Sequence, residues 1–175
     1  MALFHDQADV SVRPAIPGDE SMVAATQLRA WRVGLGSLVP DLMDRIDAPA
    51  VTAQWAAAIT DPPSAGHRLL VALDGARIVG LAALVPVDGG VEITALEVDP
   101  DHRRGGHGSR LLAACVDLGR QGGAGHVQTW SLEQDEARNQ FLGSAGLGHE
   151  GISRTLVSEE GSAVTLVEQR WFAQI

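Results

Sequence analysis

The chain contains no lysine, no tyrosine and one cysteine among its 175 residues. All 13 of its basic residues are therefore arginine. A P-loop is excluded, because that phosphate cradle needs a lysine after its last glycine. Without tyrosine, no phenol can act as a proton donor. With Cys115 alone, no internal disulfide can form, and its place on the apolar side of a helical pattern reads as a buried, inert thiol. No apolar run approaches the ~18 residues that suggest a membrane span. The first ten residues hold Asp6 and Asp9 but no arginine, unlike the basic and then apolar start of a secretory signal. A cytoplasmic location and no membrane partner are expected. The six histidines, at positions 5, 67, 102, 107, 126 and 149, have no ligand-like spacing and no cysteine pair to join them, so no metal is expected.

The composition is that of an ordinary globular chain, 45% hydrophobic with a mean hydropathy of +0.06. Its length suits one domain over 1–175 with a real core, with residues 1–9 expected to be loose. A formal net charge of −9 opposes nucleic-acid binding, which depends on cations meeting phosphates. It would attract a cationic partner such as an amine. An acidic surface is equally ordinary for a soluble protein.

Strand and helix signals alternate along the chain. Residues 10–14 read as a short strand. Pro17-Gly18-Asp19 then punctuates, with Asp19 or Ser21 as cap of an amphipathic helix that reaches about Arg32 and is broken by Gly34 and Gly36. A helical turn follows Pro40, and a further helix covers about 50–59. Residues 68–73 and 77–86 form a hairpin over Asp74-Gly75, and 91–98 form the next strand. From Ser109 onward, Leu111, Leu112, Cys115, Val116 and Leu118 make an apolar helical stripe. A strand at 126–130 and a helix at 135–145 closed by Gly146 come next. Two strands at 147–157 and 163–172, joined at Glu159-Glu160-Gly161, end the chain. Simple alternation puts Glu92, Thr94, Leu96 and Val98 on one face of their strand and Ile93, Ala95 and Glu97 on the other. The two glutamates would share a face only across a bulge.

Chemistry concentrates at 98–112, Val-Asp-Pro-Asp-His-Arg-Arg-Gly-Gly-His-Gly-Ser-Arg-Leu-Leu. A strand ends at Val98, and Pro100 removes a ladder donor. Gly105, Gly106 and Gly108 permit close backbone approach. The first-turn N–H groups of the following helix have no intrahelical acceptor, so this is a site for an anionic, phosphate-rich ligand. A tight connection with no ligand is the alternative reading. The dinucleotide fingerprint fails, because position 111, where its third glycine belongs, is leucine. The pattern that remains, Arg103-x-x-Gly106-x-Gly108, is preceded by Leu96-x-Val98-x-Pro100 and followed by Leu111-Leu112. It resembles the coenzyme A pyrophosphate loop of the GNAT superfamily of N-acetyltransferases. The likeness extends through Ile16-Pro17-Gly18-Asp19, Ala30-Trp31-Arg32, Leu38-Val39-Pro40 and Arg77-Ile78-Val79-Gly80. It continues through Arg138-Asn139-Gln140-Phe141-Leu142 with Gly146-Leu147, where the family usually reads Ala-x-x-Phe-Tyr-x-x-x-Gly-Phe.

The resemblance implies an α/β (α+β) domain: a mixed, mostly antiparallel sheet of about seven strands, parallel around the glycine loop, with helices on both faces. It implies acetyl-CoA as co-substrate and transfer of the acetyl group to an amine acceptor, a small molecule or peptide. Leu96, Val98, Arg103, Arg104, Gly105, Gly106, His107 (through its backbone), Gly108 and Ser109 would hold the cofactor. Asp135 and Asn139 would touch its pantetheine arm, helix capping being the other use of Asp135. The Val98 N–H would polarise the thioester carbonyl. Glu92 matches by spacing the base of the superfamily's histone-acetylating branch and is the first choice for that role, with Glu97 second. A solvated strand-edge carboxylate is the plain alternative for either. Trp31 and Arg32 stand where acceptors usually enter and Trp130 near the thioester; packing is the other reading of both tryptophans.

Two positions depart from the family pattern. Its frequent asparagine falls on Asp135, and its frequent tyrosine, the usual acid for the leaving thiolate, falls on Leu142. A lysine-like amine with a pKa of about 10.4 must lose a proton at a cost of roughly 4–5 kcal/mol at pH 7, whereas a thiolate with a pKa near 8.5 leaves readily. Losing the acid therefore does not by itself remove activity. Three functions remain open: a small-molecule or peptide amine N-acetyltransferase, a non-catalytic acyl-CoA-binding or sensing module, and a protein acetyltransferase with specificity in residues 29–46. A homodimer through the last strands is also possible.

Overall fold

The computed structural model describes residues 10–36, 38–157 and 165–175. The looseness expected of residues 1–9, the turn expected at Glu159-Glu160-Gly161 and the strand start expected at Ala163 lie outside them. The described strands are β1 (Val10–Pro14), β2 (Arg68–Asp74), β3 (Arg77–Val87), β4 (Gly90–Val98), β5 (His126–Leu132), β6 (Gly148–Val157) and β7 (Thr165–Gln174). The helices are α1 (Glu20–Gly34), α2 (Pro40–Arg45), α3 (Ala48–Thr60), α4 (His107–Gln121) and α5 (Glu136–Ser144), with a single 3₁₀ turn at Pro100–His102. The strands form one sheet in the order β1-β2-β3-β4-β5-β7-β6. Every neighbouring pair is antiparallel except β4 and β5. That exception follows from α4, the crossover a parallel pair requires.

Two layers of side chains sandwich the sheet. On one face Leu70, Ala72, Ala82, Leu84, Val91, Ile93 and Leu96 meet Leu111, Leu112 and Cys115 of α4 and Leu142 of α5. On the other, Leu69, Val71, Ile78, Leu81, Ala83 and Ala95 meet Val23 of α1, with Trp55 and Ile59 of α3 packed against them. The Trp55 indole donates to Gln27 Oε1 at 2.8 Å and so ties α3 to α1. Gly80 sits where β3 passes beneath α4: a β-carbon there would stand 3.1 Å from the Glu97 carbonyl oxygen and from Leu111 Cδ1. No helix among the described residues is long and apolar enough to cross a membrane.

Three sequence expectations change in detail. Asp19 occupies the cap position of α1, but its side chain makes no cap bond. Its carboxylate instead takes two hydrogen bonds from Arg13, at 2.6 and 3.1 Å, and one from the Ile16 N–H at 2.9 Å. Helix α4 opens at His107, two residues before Ser109, because Gly106 adopts φ 80°, ψ 5° and turns the chain into the helix at that point. The alternation expected of β4 is wrong. Ala83 pairs with Ala95 but Leu84 pairs with Ile93, so Thr94 is an extra residue in a bulge. After it, Leu96 joins Val91 and Ile93 on the α4 face, while Ala95 and Glu97 turn to the α1 face with Glu92.

Cys115 is fully buried, and burial pushes its thiol pKa up to about 12. The native protein is therefore expected not to react with a thiol reagent at pH 8, and to release one equivalent of chromophore only once denatured. Time-resolved absorbance in each condition checks this; rapid labelling of the native state would show that the α4 face opens.

Candidate active site

The site begins where two parallel strands part. Pairing between β4 and β5 runs only from Gly90 opposite His126 to Ile93 opposite Thr129. Beyond that point β4 has β3 on one side and a free edge on the other. The Asp99 N–H donates to the Val79 carbonyl at 2.8 Å, on the β3 side. Backbone groups alternate between the two edges of a strand, so Leu96 and Val98 present theirs to the free edge. The Leu96 carbonyl there accepts from Arg138 Nη1 at 2.9 Å. The Val98 N–H faces the same opening.

A cleft of about 650 Å³ follows this edge, within the range of small-molecule sites. Leu96, Glu97 and Val98 form one wall, and Asp135, Arg138 and Phe141 of the α5 segment form the other. Its end is closed by Arg103, Arg104, Gly106, His107, Gly108 and Ser109. The loop is shaped for an anion. Arg104 has φ 66°, a left-handed backbone that costs a non-glycine residue roughly 1–2 kcal/mol, and Gly106 repeats the turn. The free N–H groups of the first turn of α4 then point into the cleft. His107 adds no positive charge there. Its ring is buried, and burial, assisted by Arg110 and His102 and opposed by Asp74, pushes its pKa down. Gly105 stands just behind the wall, its carbonyl accepting from Arg110 Nη1 at 3.0 Å.

The bulge in β4 sets the two glutamates on one face but in different surroundings. Glu97 lines the cleft; its side chain is 18% exposed. It accepts from Trp31 Nε1 at 3.3 Å and lies 3.6 Å from Arg138 Nη1. Burial raises its pKa, the Arg138 charge and the Trp31 bond pull it down, Asp135 raises it and Arg103 lowers it; the net direction is upward. Glu92 lies below the fork, where the strands are still paired. Its Oε2 takes bonds from Gln128 Nε2 at 2.6 Å and Trp130 Nε1 at 3.3 Å. The Arg154 guanidinium stacks over the Trp130 ring, 4.2 Å from its centre.

Other sequence candidates fall around this centre. Asp135 caps α5, accepting from the Arg138 N–H at 3.0 Å, and also lines the cleft. Asn139 braces the β5–α5 turn, with its Nδ2 on the Leu132 and Glu133 carbonyls at 3.0 and 3.3 Å. Arg32 is exposed near the end of α1, away from the cleft lining. Leu142, at the family's tyrosine position, is fully buried in the α4-side core.

Sequence reasoning missed Arg138 and Asp99. The signal for Arg138 was an arginine where the related pattern carries alanine. Asp99 is 2% exposed and sits at the start of the loop. It accepts from the Asp101 N–H at 3.0 Å and meets Arg29 of α1 at 3.1 Å, His102 at 3.4 Å and Arg77 at 3.7 Å. Arg29 also holds Asp101 at 2.6 Å, which fastens α1 to the loop. An Asp before Pro, capping the 3₁₀ turn, was the available hint.

The glycine loop opens α4 beside the parallel pair β4 and β5, as the sequence resemblance implies, and the fork and the free β4 edge adjoin it. The model of the acetyltransferase (GNAT) family matches residues 30–146. The chain belongs to the GNAT acetyltransferase family. Among solved structures it resembles PaiA N-acetyltransferase from Thermoplasma acidophilum in complex with coenzyme A, with a TM-score of 0.71 and 10% identity over 95% of this chain and 99% of that one. It also resembles YncA from Salmonella typhimurium, solved with its cofactor acetyl-CoA, with a TM-score of 0.67 and 22% identity over 94% and 93% of the two chains. An acetyltransferase from Thermus thermophilus gives 0.64 and 15% over 95% and 97%. At these identities the likeness is one of fold. No curated protein matches the chain. The GNAT chain's own residues fit coenzyme A: the first turn of α4 with Arg103 and Arg104 suits a pyrophosphate, and the free edge of β4 suits an amide-bearing arm.

Proposed function

We propose that this GNAT protein transfers an acetyl group from acetyl-CoA to the primary amine of a small molecule or peptide. The observation that carries the proposal is Glu97: a carboxylate turned by the β4 bulge into the cleft, next to the edge that presents the Val98 N–H. In this reading Arg103, Arg104 and the backbone from Gly105 to Ser109 hold the pyrophosphate. Leu96 and Val98 align the arm, and the Val98 N–H stabilises charge developing on the thioester oxygen. Glu97 takes the amine proton. Its raised pKa favours that role, since a base works best with a pKa nearer the working pH. Glu92, held by Gln128 and Trp130, becomes part of the acceptor wall together with Trp31 and Trp130. The net charge of −9 suits a cationic acceptor.

The buried Leu142 favours one other reading, a module that binds acyl-CoA without turning it over. Release of free CoA thiol from acetyl-CoA, measured across amines, aminoglycosides and peptides, separates the two. Amine-dependent release well above hydrolysis is expected. Tight acetyl-CoA binding without release for any acceptor class would assign the binding module instead.

A further inference from the structure

One charged side chain of α5 projects into the cleft. Arg138 is 20% exposed; its Nη1 sits 2.9 Å from the Leu96 carbonyl and 3.6 Å from Glu97, and its Nε is buried with no partner. The guanidinium is thus anchored on the free edge of β4 with its charge beside Glu97 at the cleft wall. One turn further along α5, Leu142 faces the core and offers no proton. Arginine stays charged and cannot serve as an acid. A thiolate with a pKa near 8.5 does not need one: it needs a cation.

We infer that Arg138 receives the departing thiolate of coenzyme A and holds it as an ion pair where a tyrosine would otherwise protonate it. This rests on the transferase reading above. The step balances. The amine lone pair forms the N–C bond at the acetyl carbonyl, the C–S bond breaks, and its electron pair stays on sulfur. The surplus proton on nitrogen passes to the Glu97 carboxylate. Beforehand Arg138 faces ionised Glu97; afterwards Glu97 is neutral and Arg138 faces the thiolate. The set of Glu97, Arg138 and the sulfur therefore carries one positive and one negative charge throughout, and no further unpaired charge is created among them.

The charged and titratable groups facing the slot are Glu97 on β4, His102, Arg103 and Arg104 in the loop, His107 opening α4, and Asp135 with Arg138 at α5. Glu97 and Asp135 oppose a thiolate, and Arg138 is the cation placed between the free edge and Glu97.

The test is an ultraviolet titration of the thiol of coenzyme A bound to the full chain in Glu97→Gln, which keeps position 97 neutral as it is after the transfer, alone and combined with Arg138→Lys or Arg138→Gln, with the affinity of desulfo-coenzyme A measured beside it. Glu97→Gln is expected to lower the bound thiol pKa by about one unit from about 8.5, so that affinity for coenzyme A rises about tenfold relative to desulfo-coenzyme A as pH increases. Adding Arg138→Lys should keep part of the shift. Adding Arg138→Gln should return the pKa to about 8.5. A mere brace between α5 and β4 would weaken both ligands equally and leave the thiol unshifted. A thiol at or above its free value in Glu97→Gln with Arg138 intact overturns the inference. If coenzyme A does not bind at all, the transferase reading falls and this inference with it.

Discussion

Replacing Glu97 with glutamine is expected to lower kcat about 10²–10³-fold, the size of a lost general base, while the melting temperature stays level or rises. Glu97 is a carboxylate whose folded pKa lies above its ordinary value, chiefly because burial disfavours its charge. The folded state therefore binds the proton more tightly than the unfolded chain does. Such a group favours folding below its unfolded pKa and loses that advantage as pH rises through the folded pKa. At neutral pH the charge is a net burden on the fold, even with Arg138 beside it, and a neutral glutamine removes it. The pH profile gives an independent check. The acidic limb of kcat/KM in the wild type should follow the raised carboxylate, and in Glu97→Gln that limb should vanish, leaving the rate to track the free-amine fraction. The same substitution at Glu92 should act mainly on KM, since Glu92 lies below the fork and is already held by Gln128 and Trp130. An equal collapse of kcat in Glu92→Gln, with Glu97→Gln unaffected, would give the base role to Glu92.

The sequence made the order of elements legible because each carried a local signal. Asp74-Gly75 marks the β2–β3 hairpin, the period of Leu111, Leu112 and Cys115 marks α4, and Gly146 with φ 95° marks the end of α5. The anion loop was legible for the same reason, since glycine spacing and a helix start lie within a dozen residues. The choice between the glutamates was not. It depends on Thr94 being an extra residue, and nothing in Glu-Ile-Thr-Ala-Leu-Glu distinguishes a bulged strand from a regular one. That bulge is a matter of register against β3, the other strand of the same hairpin, and it shows only once Ala83 is seen opposite Ala95 and Leu84 opposite Ile93. Arg138 and Asp99 were hidden for a related reason: each matters through contacts across the fold, at Leu96 and Glu97 for one and at Arg29 for the other.

Asp99→Ala is expected to destabilise the protein by about 2–3 kcal/mol, or about 5–10 °C in melting temperature for a chain of this length. Burial alone would push the Asp99 pKa up. The Asp101 N–H, the His102 bond and the Arg29 charge outweigh that and hold it below the ordinary value. Its stabilisation is therefore present above the unfolded pKa of about 3.9 and is lost as pH falls through the folded pKa, so the gap between wild type and variant should close in acid. Arg29 limits the loss. Its side chain is 48% exposed, so water can solvate it once Asp99 is gone, and its bond to Asp101 survives. The functional effect reaches further than the stability effect. Asp99 joins α1 to the segment that enters the anion loop, and without it Arg103 to Gly108 must be ordered on binding. An ordering cost of roughly 1.4 kcal/mol weakens coenzyme A about tenfold. Calorimetric titration well below the melting temperature isolates that term. Unchanged affinity in a destabilised Asp99→Ala would show that the left-handed turns at Arg104 and Gly106 hold the loop without help from α1.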